Sequence, residues 1–221
     1  MKLAIFGATG TVGRALLAQA LDAGHQVRVL ARTPAKVARS DPAVAVLAGD
    51  AKDPAAVRAT VVGCDAVLST LGGVTDPDAI SVGTATIVSA MQALGLRRLV
   101  IMQGFHLDFP GDPANIGRRL VVPLLRLTGP DLIRESRSMA VAVQECGLDW
   151  TVVRAPRVTV GPSTRSYRFG RLSLGPWNTI SNGDVADAML RCLSDATSVH
   201  TAPMVAAVRR GRISGSVATA S

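Results

Sequence analysis

Short apolar runs of strand length alternate along this chain with longer stretches whose apolar residues recur every third or fourth position. Residues 2–6 read as a short buried strand. Residues 11–23 read as an amphipathic helix, with Val12, Leu16, Leu17, Ala20 and Leu21 on one face and Gly24 in the preferred position just past its end. The same alternation predicts strands at 26–31, 43–47, 65–70, 99–102 and 150–153. It predicts helices at 34–39, 53–62, 79–94, 131–146 and 184–193. Asp53-Pro54 reads as a cap followed by a first helical residue, Gly95 and Gly147 read as helix stops, and Ser181 or Asn182 opens the last helix. The apolar run 202–208 reads as an edge strand. Strands and helices in this order build βαβ units, so the expected architecture is a single α/β domain with a doubly wound, mostly parallel sheet.

Two segments break the rhythm. Residues 104–130 are rich in Pro and Gly and contain Leu120-Val121-Val122-Pro123-Leu124-Leu125, where Pro123 would kink any helix. The other is 157–176. Both follow strand C-termini, where open α/β sheets bind ligands. Each reads either as a pocket wall or lid, or as a kinked helix covering the sheet. Residues 211–221 are small and polar and read as a frayed tail.

Composition narrows the setting. Aromatic residues make up only 3%, so the core must be aliphatic. No run approaches the length of a membrane span. Cys64, Cys146 and Cys192 form neither a metal-ligand spacing nor an even disulfide framework, which predicts no metal and a reducing cytoplasm. The net charge of +8 comes from 21 arginines and three lysines, spread over the chain except for Arg209-Arg210-Gly211-Arg212. No stacking aromatics accompany that cluster, so the basic balance predicts anionic small-molecule ligands rather than nucleic acid.

The chemistry concentrates between the first strand and the first helix, at Gly7-Ala8-Thr9-Gly10-Thr11-Val12-Gly13. Gly7 permits a tight turn, Gly10 lets the backbone approach a pyrophosphate, and Gly13 lets helix and sheet pack closely. The helix N-terminus then offers N–H groups to phosphates. With its flanking strand and helix this is a Rossmann-type dinucleotide turn. The second strand ends in Arg32-Thr33. A cation there suits a 2′-phosphate, where a carboxylate would favour NAD, so the expected cofactor is NADP(H). Asp50 and Ala51 are placed to meet the adenine, and Leu71, Gly72 and Gly73 approach the nicotinamide side.

These residues resemble the atypical short-chain dehydrogenase/reductase proteins, in the NAD(P)H-binding group that includes the NmrA-like proteins. The resemblance is nearest to flavin reductase (NADPH), also called biliverdin-IXβ reductase. It is carried by residues 4–10, the Val29-Leu30-Ala31-Arg32 strand end, Gly49-Asp50, residues 147–154, Ile180-Ser181 and Met189-Leu190-Arg191-Cys192-Leu193. It implies hydride transfer to a planar conjugated acceptor such as a flavin, tetrapyrrole or quinone. Gln103-Gly104-Phe105 stands where that reductase has a serine after the fifth strand, and Arg157 where it has a histidine. The cofactor inference therefore transfers better than the substrate inference.

A Tyr-x-x-x-Lys mechanism is excluded by inventory, because Tyr167 is the only tyrosine and no lysine follows Lys52. Hydride transfer to a flavin or quinone asks only for stacking geometry and a proton source. Gln103, to bond an acceptor carbonyl, His106, to donate a proton near neutral pH, and Arg157, to hold an anionic group, are the catalytic candidates; each also has a plain structural reading. A non-catalytic NADP(H) sensor of the NmrA-like type is the alternative, and an epimerase using its cofactor transiently is a weaker third. The expected state is a monomer or small homo-oligomer.

Overall fold

A computed structural model describes residues 1–37, 41–72 and 76–208. The expectations for Gly73, for Arg39, for the Arg209–Arg212 cluster and for the tail lie outside the described residues.

Four strands and three helices build one half of the sheet and start the other. They are β1 (Lys2–Phe6), α1 (Thr11–Asp22), β2 (Gln26–Ala31), β3 (Val44–Ala48), α2 (Pro54–Val61), β4 (Ala66–Ser69) and α3 (Asp78–Ala93). The helix expected at 34–39 is a single 3-10 turn, Pro34–Lys36. The second half contains β5 (Arg98–Gly104), α4 (Ile116–Thr128), α5 (Pro130–Glu145), β6 (Asp149–Ala155), β7 (Arg157–Thr159), β8 (Tyr167–Gly170), β9 (Thr179–Ser181), α6 (Asn182–Ser194) and β10 (Met204–Ala207).

Among the described residues these strands form an eight-stranded sheet in the order β3-β2-β1-β4-β5-β6-β10-β8, while β7 and β9 pair apart. All pairs in the main sheet are parallel except β10 with β8. Strand order reverses between β1 and β4, which opens a crevice at the strand C-termini.

Side chains alternate across this sheet and feed two cores. Ala4, Phe6, Val67, Leu99, Ile101 and Val152 pack under α2, α3 and α5. Leu3, Ile5, Val29, Leu68, Val100 and Val153 pack under α1 and α6. The expected doubly wound layering is present.

Three regions depart from the sequence reading. The run expected to be an edge strand is β10, which is interior; the short strand β8 lies beyond it at the edge. Segment 157–176 contains the strands β7 and β8. Segment 104–130 holds a loop and then α4, a helix with Pro123 inside it. Its apolar run divides: Val121 packs against Phe105 and Leu174, while Leu120 and Leu124 are each 60% exposed.

The loop before α4 is fastened from below. Arg154 on β6 is fully buried and donates two hydrogen bonds to the Asp112 carboxylate and one to the Leu107 carbonyl. Its guanidinium also lies 5.0 Å from the centre of the Phe109 ring. Burial opposes ionisation of Asp112, but Arg154, the Phe109 amide and Arg118 outweigh it and hold the carboxyl below its ordinary range.

Candidate functional site

At the crevice between β1 and β4, two of the three turn glycines are required by the fold itself. Gly7 has φ +80°, and a Cβ there would come within 2.6 Å of the Thr70 Oγ1. That hydroxyl donates to the carbonyls of Phe6 and Gly7, stitching the turn to the end of β4. A Cβ on Gly13 would collide with the Gly7 carbonyl, so α1 can lie against the turn only with glycine there. Gly10 is different. A Cβ there meets only the Gly7 oxygen at 3.4 Å, so intramolecular packing does not demand glycine. The free space faces the crevice.

The N-terminus of α1 points into the same space with neither a side-chain cap nor an acidic residue in its first turn. Each of the other five helices among the described residues has one or the other. Asp53, Asn115 and Ser181 cap α2, α4 and α6, and Asp78 and Asp131 stand in the first turns of α3 and α5. The donors and positive dipole end of α1 are therefore left for an external anion.

The crevice has a volume of about 160 Å³ and is lined by Gly7, Thr9, Gly10, Arg32, Asp50, Ala51, Leu71 and Gly72, together with Thr70 and Asp76. Most of the residues expected to hold the cofactor thus share one cavity. Val12 is buried in the core beneath it, and the Thr11 carbonyl accepts a hydrogen bond from Asn182. Thr33 opens the 3-10 turn with no side-chain cap bond. Asp50 accepts a hydrogen bond from the Lys52 amide, which shapes the turn after β3.

At the far end of the crevice two cations meet one carboxylate. The Arg32 Nη1 lies 2.7 Å from one oxygen of Asp76 and the Lys52 Nζ 3.1 Å from the other. The Asp76 hydrogen bond and charge raise the Lys52 ammonium above its usual range. Neither Lys52 nor Asp76 was visible as a site residue in the sequence, because their contact spans 24 positions and no local motif announces it.

The three catalytic candidates are dispersed. Gln103 is buried at the end of β5, where its Oε1 accepts a 3.5 Å hydrogen bond from Ser136 on α5. Arg157 is exposed on β7 and lines neither this crevice nor the cavity at His106. His106 lines a second cavity of about 590 Å³ between α4 and α5. Burial and then the Arg137 charge push its pKa down to about 4, so the expectation of titration near neutrality is not met; the ring is neutral at pH 7. His25 and His200 lie elsewhere. His25 faces the N-terminal amine, and the His200 ring meets the Leu148 carbonyl. Tyr167 sits on β8 with its hydroxyl donating to Asp187 at 2.6 Å.

The profile of the NAD(P)H-binding family matches residues 7–196. The chain belongs to this family. A curated relative, (4-alkanoyl-5-oxo-2,5-dihydrofuran-3-yl)methyl phosphate reductase of Streptomyces griseus, is 30% identical over 210 residues, 94% of this chain and 64% of the relative. The chain thus spans less than two thirds of that protein. Among solved structures, the oxidoreductase ylbE from Lactococcus lactis superposes with TM-score 0.76 at 19% identity, covering 93% of this chain and 90% of that one. A short-chain dehydrogenase/reductase from Veillonella parvula, solved in complex with NADP, superposes with TM-score 0.73 at 19% identity, covering 92% and 93%. Both likenesses show the Rossmann-type fold.

For this NAD(P)H-binding protein, the uncapped α1 N-terminus and the room above Gly10 fit a pyrophosphate. Gly7, Thr9 and Gly10 would hold that group, and Arg32 and Lys52 stand at the opposite end. Among the described residues no helix is long and apolar enough to cross a membrane, no group of His, Cys, Asp or Glu suits a metal, and all three cysteines are free.

Proposed function

We propose that this protein is an NADPH-dependent oxidoreductase that delivers hydride to a small planar conjugated acceptor, such as a flavin, a quinone or an unsaturated lactone. The observation that carries the reading is the pairing, in one crevice, of an uncapped helix N-terminus with two cations at the adenosine end. The Asp76 carboxylate between Arg32 and Lys52 stands in for an anion, and a 2′-phosphate offers the same oxygens to both. The Veillonella parvula neighbour solved with NADP supports this choice. The named substrate of the Streptomyces griseus relative, an alkanoyl-bearing 5-oxo-2,5-dihydrofuran, supports a conjugated carbonyl as acceptor.

The bound dinucleotide supplies hydride, and the chain supplies orientation. Gly7, Thr9 and Gly10 fix the pyrophosphate, Asp50 and Ala51 flank the adenine, and Leu71 and Gly72 wall the inner end. The loop after β5 and the helices α4 and α5 form the substrate side. There the neutral His106 ring can donate or accept one hydrogen bond at the acceptor. Gln103, beneath α5, orders that wall, whereas Arg157 stands outside both cavities. The free thiols agree with a reducing cytoplasm.

A sensor of bound NADP(H) is the second reading, favoured by the outward apolar face of α4, where Ile116, Leu120, Leu124 and Leu127 are exposed. Absorbance at 340 nm separates the two. With FMN, menadione and an alkanoyl butenolide as acceptors, the reductase consumes NADPH and loses turnover on Gly10→Val. Tight NADPH binding with no turnover on any acceptor supports the sensor instead.

A further inference from the structure

The cavity between α4 and α5 holds more positive charge than the protein itself neutralises. It is lined by three arginines, Arg118, Arg119 and Arg137, against one carboxylate, Asp108. Arg118 is already engaged, at 2.7 Å from Asp108 and 3.4 Å from Asp112. Arg119 and Arg137 have no ion pair or hydrogen bond among the described residues, and they approach from the two facing helices. Local partners are absent by composition: α4 contains no acidic residue, and the neighbouring Asp131 and Glu135 of α5 are both bound to Arg134.

Arg137, though exposed, lies close enough to His106 for its charge to help lower the pKa of that ring. The His106 Nε2 is buried with no hydrogen-bond partner, although such atoms are nearly always paired in folded proteins. The ring is seated over the end of β5, where a Cβ on Gly104 would collide with it. Val122, Pro123 and Val141 supply apolar walls. The volume of about 590 Å³ lies within the range of small-molecule sites.

We infer that this cleft binds an amphiphilic anion. A phosphate or carboxylate lies between Arg119 and Arg137, an oxygen of the same molecule meets His106 Nε2, and an alkyl portion runs along Val122, Pro123 and Val141. The inference rests on the reductase reading in that it makes this anion the substrate side of the site. It defines the substrate class as a conjugated carbonyl compound with an acidic group and an alkyl chain. Guanidinium forks favour oxyanions that accept two parallel hydrogen bonds, and the apolar wall favours a chain over bare phosphate.

The test is calorimetric titration of the NADPH-saturated protein with octyl phosphate, octanoate, octanol and inorganic phosphate. Octyl phosphate, octanoate or both should bind at one site, at least tenfold more tightly than octanol or inorganic phosphate. The stronger of the two identifies the head group. Arg119→Gln with Arg137→Gln should weaken that binding at least tenfold, Arg126→Gln should leave it unchanged, and the ¹⁵N resonance of His106 Nε2 should shift on saturation. Both target arginines are exposed, so thermal melts of the double variant should match the parent. Octanol binding as tightly as both anions, or unchanged affinity in the double variant, overturns the inference. So does anion binding seen only without NADPH, since that locates it in the dinucleotide crevice. Absence of turnover would sink the reductase reading while leaving this titration fully readable.

Discussion

At the scale of single residues, the decisive groups are Asp76, which holds two cations, and His106, which burial keeps neutral. Asp76 holds Arg32 and Lys52 in the absence of an external anion, so a 2′-phosphate must compete with it. Asp76→Asn is expected to tighten NADPH binding about two- to fivefold, the scale of one exposed ion pair, and to leave NADH unchanged. Paired fluorescence titrations read this directly; equal gains for both nucleotides would remove Asp76 from the 2′-phosphate argument. His106 gives a pH prediction. Its pKa of about 4 lies below the ordinary value of 6.5, so the unfolded chain binds more protons between those two limits. The stabilisation is complete above pH 6.5 and is lost as pH falls toward 4, on the order of 3 kcal/mol in all. His25 is lowered as well, by burial and then by the N-terminal amine, and adds acid sensitivity of the same sign. The difference between wild type and His106→Asn in urea midpoints from pH 7 to 4 isolates the His106 share, and parallel curves would contradict it.

At the scale of elements, the β1–α1 turn separates folding from binding. Gly13→Ala collides with the Gly7 carbonyl and is expected to destabilise the domain. Gly10→Ala meets only a 3.4 Å contact and should fold nearly as well as the parent while losing tenfold or more in NADPH affinity. Thermal melts beside nucleotide titrations check the contrast; equal stability losses would mean that Gly10 is kept for packing. The loop before α4 makes a second prediction. Asp112→Ala leaves the fully buried Arg154 without its carboxylate and should cost about 3–5 kcal/mol in denaturant unfolding. A loss under 1 kcal/mol would mean that Leu107 and Ala202, whose carbonyls also accept from Arg154, satisfy it unaided.

At the scale of the whole molecule, what the sequence made legible was what short-range physics writes into it. The glycine turn could be read because every constraint on it lies within a strand, a turn and a helix. Arg32 could be read because it directly follows β2, the strand beside β1 and its glycine turn. Strand order could not be read in the same way. Residues 202–208 look like an edge because they come last, yet β8, a segment of only four residues, pairs outside them. The helix α4 was obscured by Pro123 and by an apolar stripe that faces outward instead of toward the core. Lys52, Asp76, Arg119 and Arg137 become site residues only when distant segments meet, and each looks like an ordinary surface charge beforehand. The same limit separates the cofactor, recognised by a local turn, from the acceptor, recognised by a cleft between two helices.

The most direct test of the central claim is the dissociation constant of NADPH and of NADH, measured by isothermal titration for wild type and Arg32→Ala. Wild type is expected to prefer NADPH, and Arg32→Ala to weaken NADPH about 10- to 100-fold, the loss of charge-assisted hydrogen bonds to a phosphate, with NADH nearly unchanged. Equal affinities for the two nucleotides in wild type, or no binding of either, would contradict the claim.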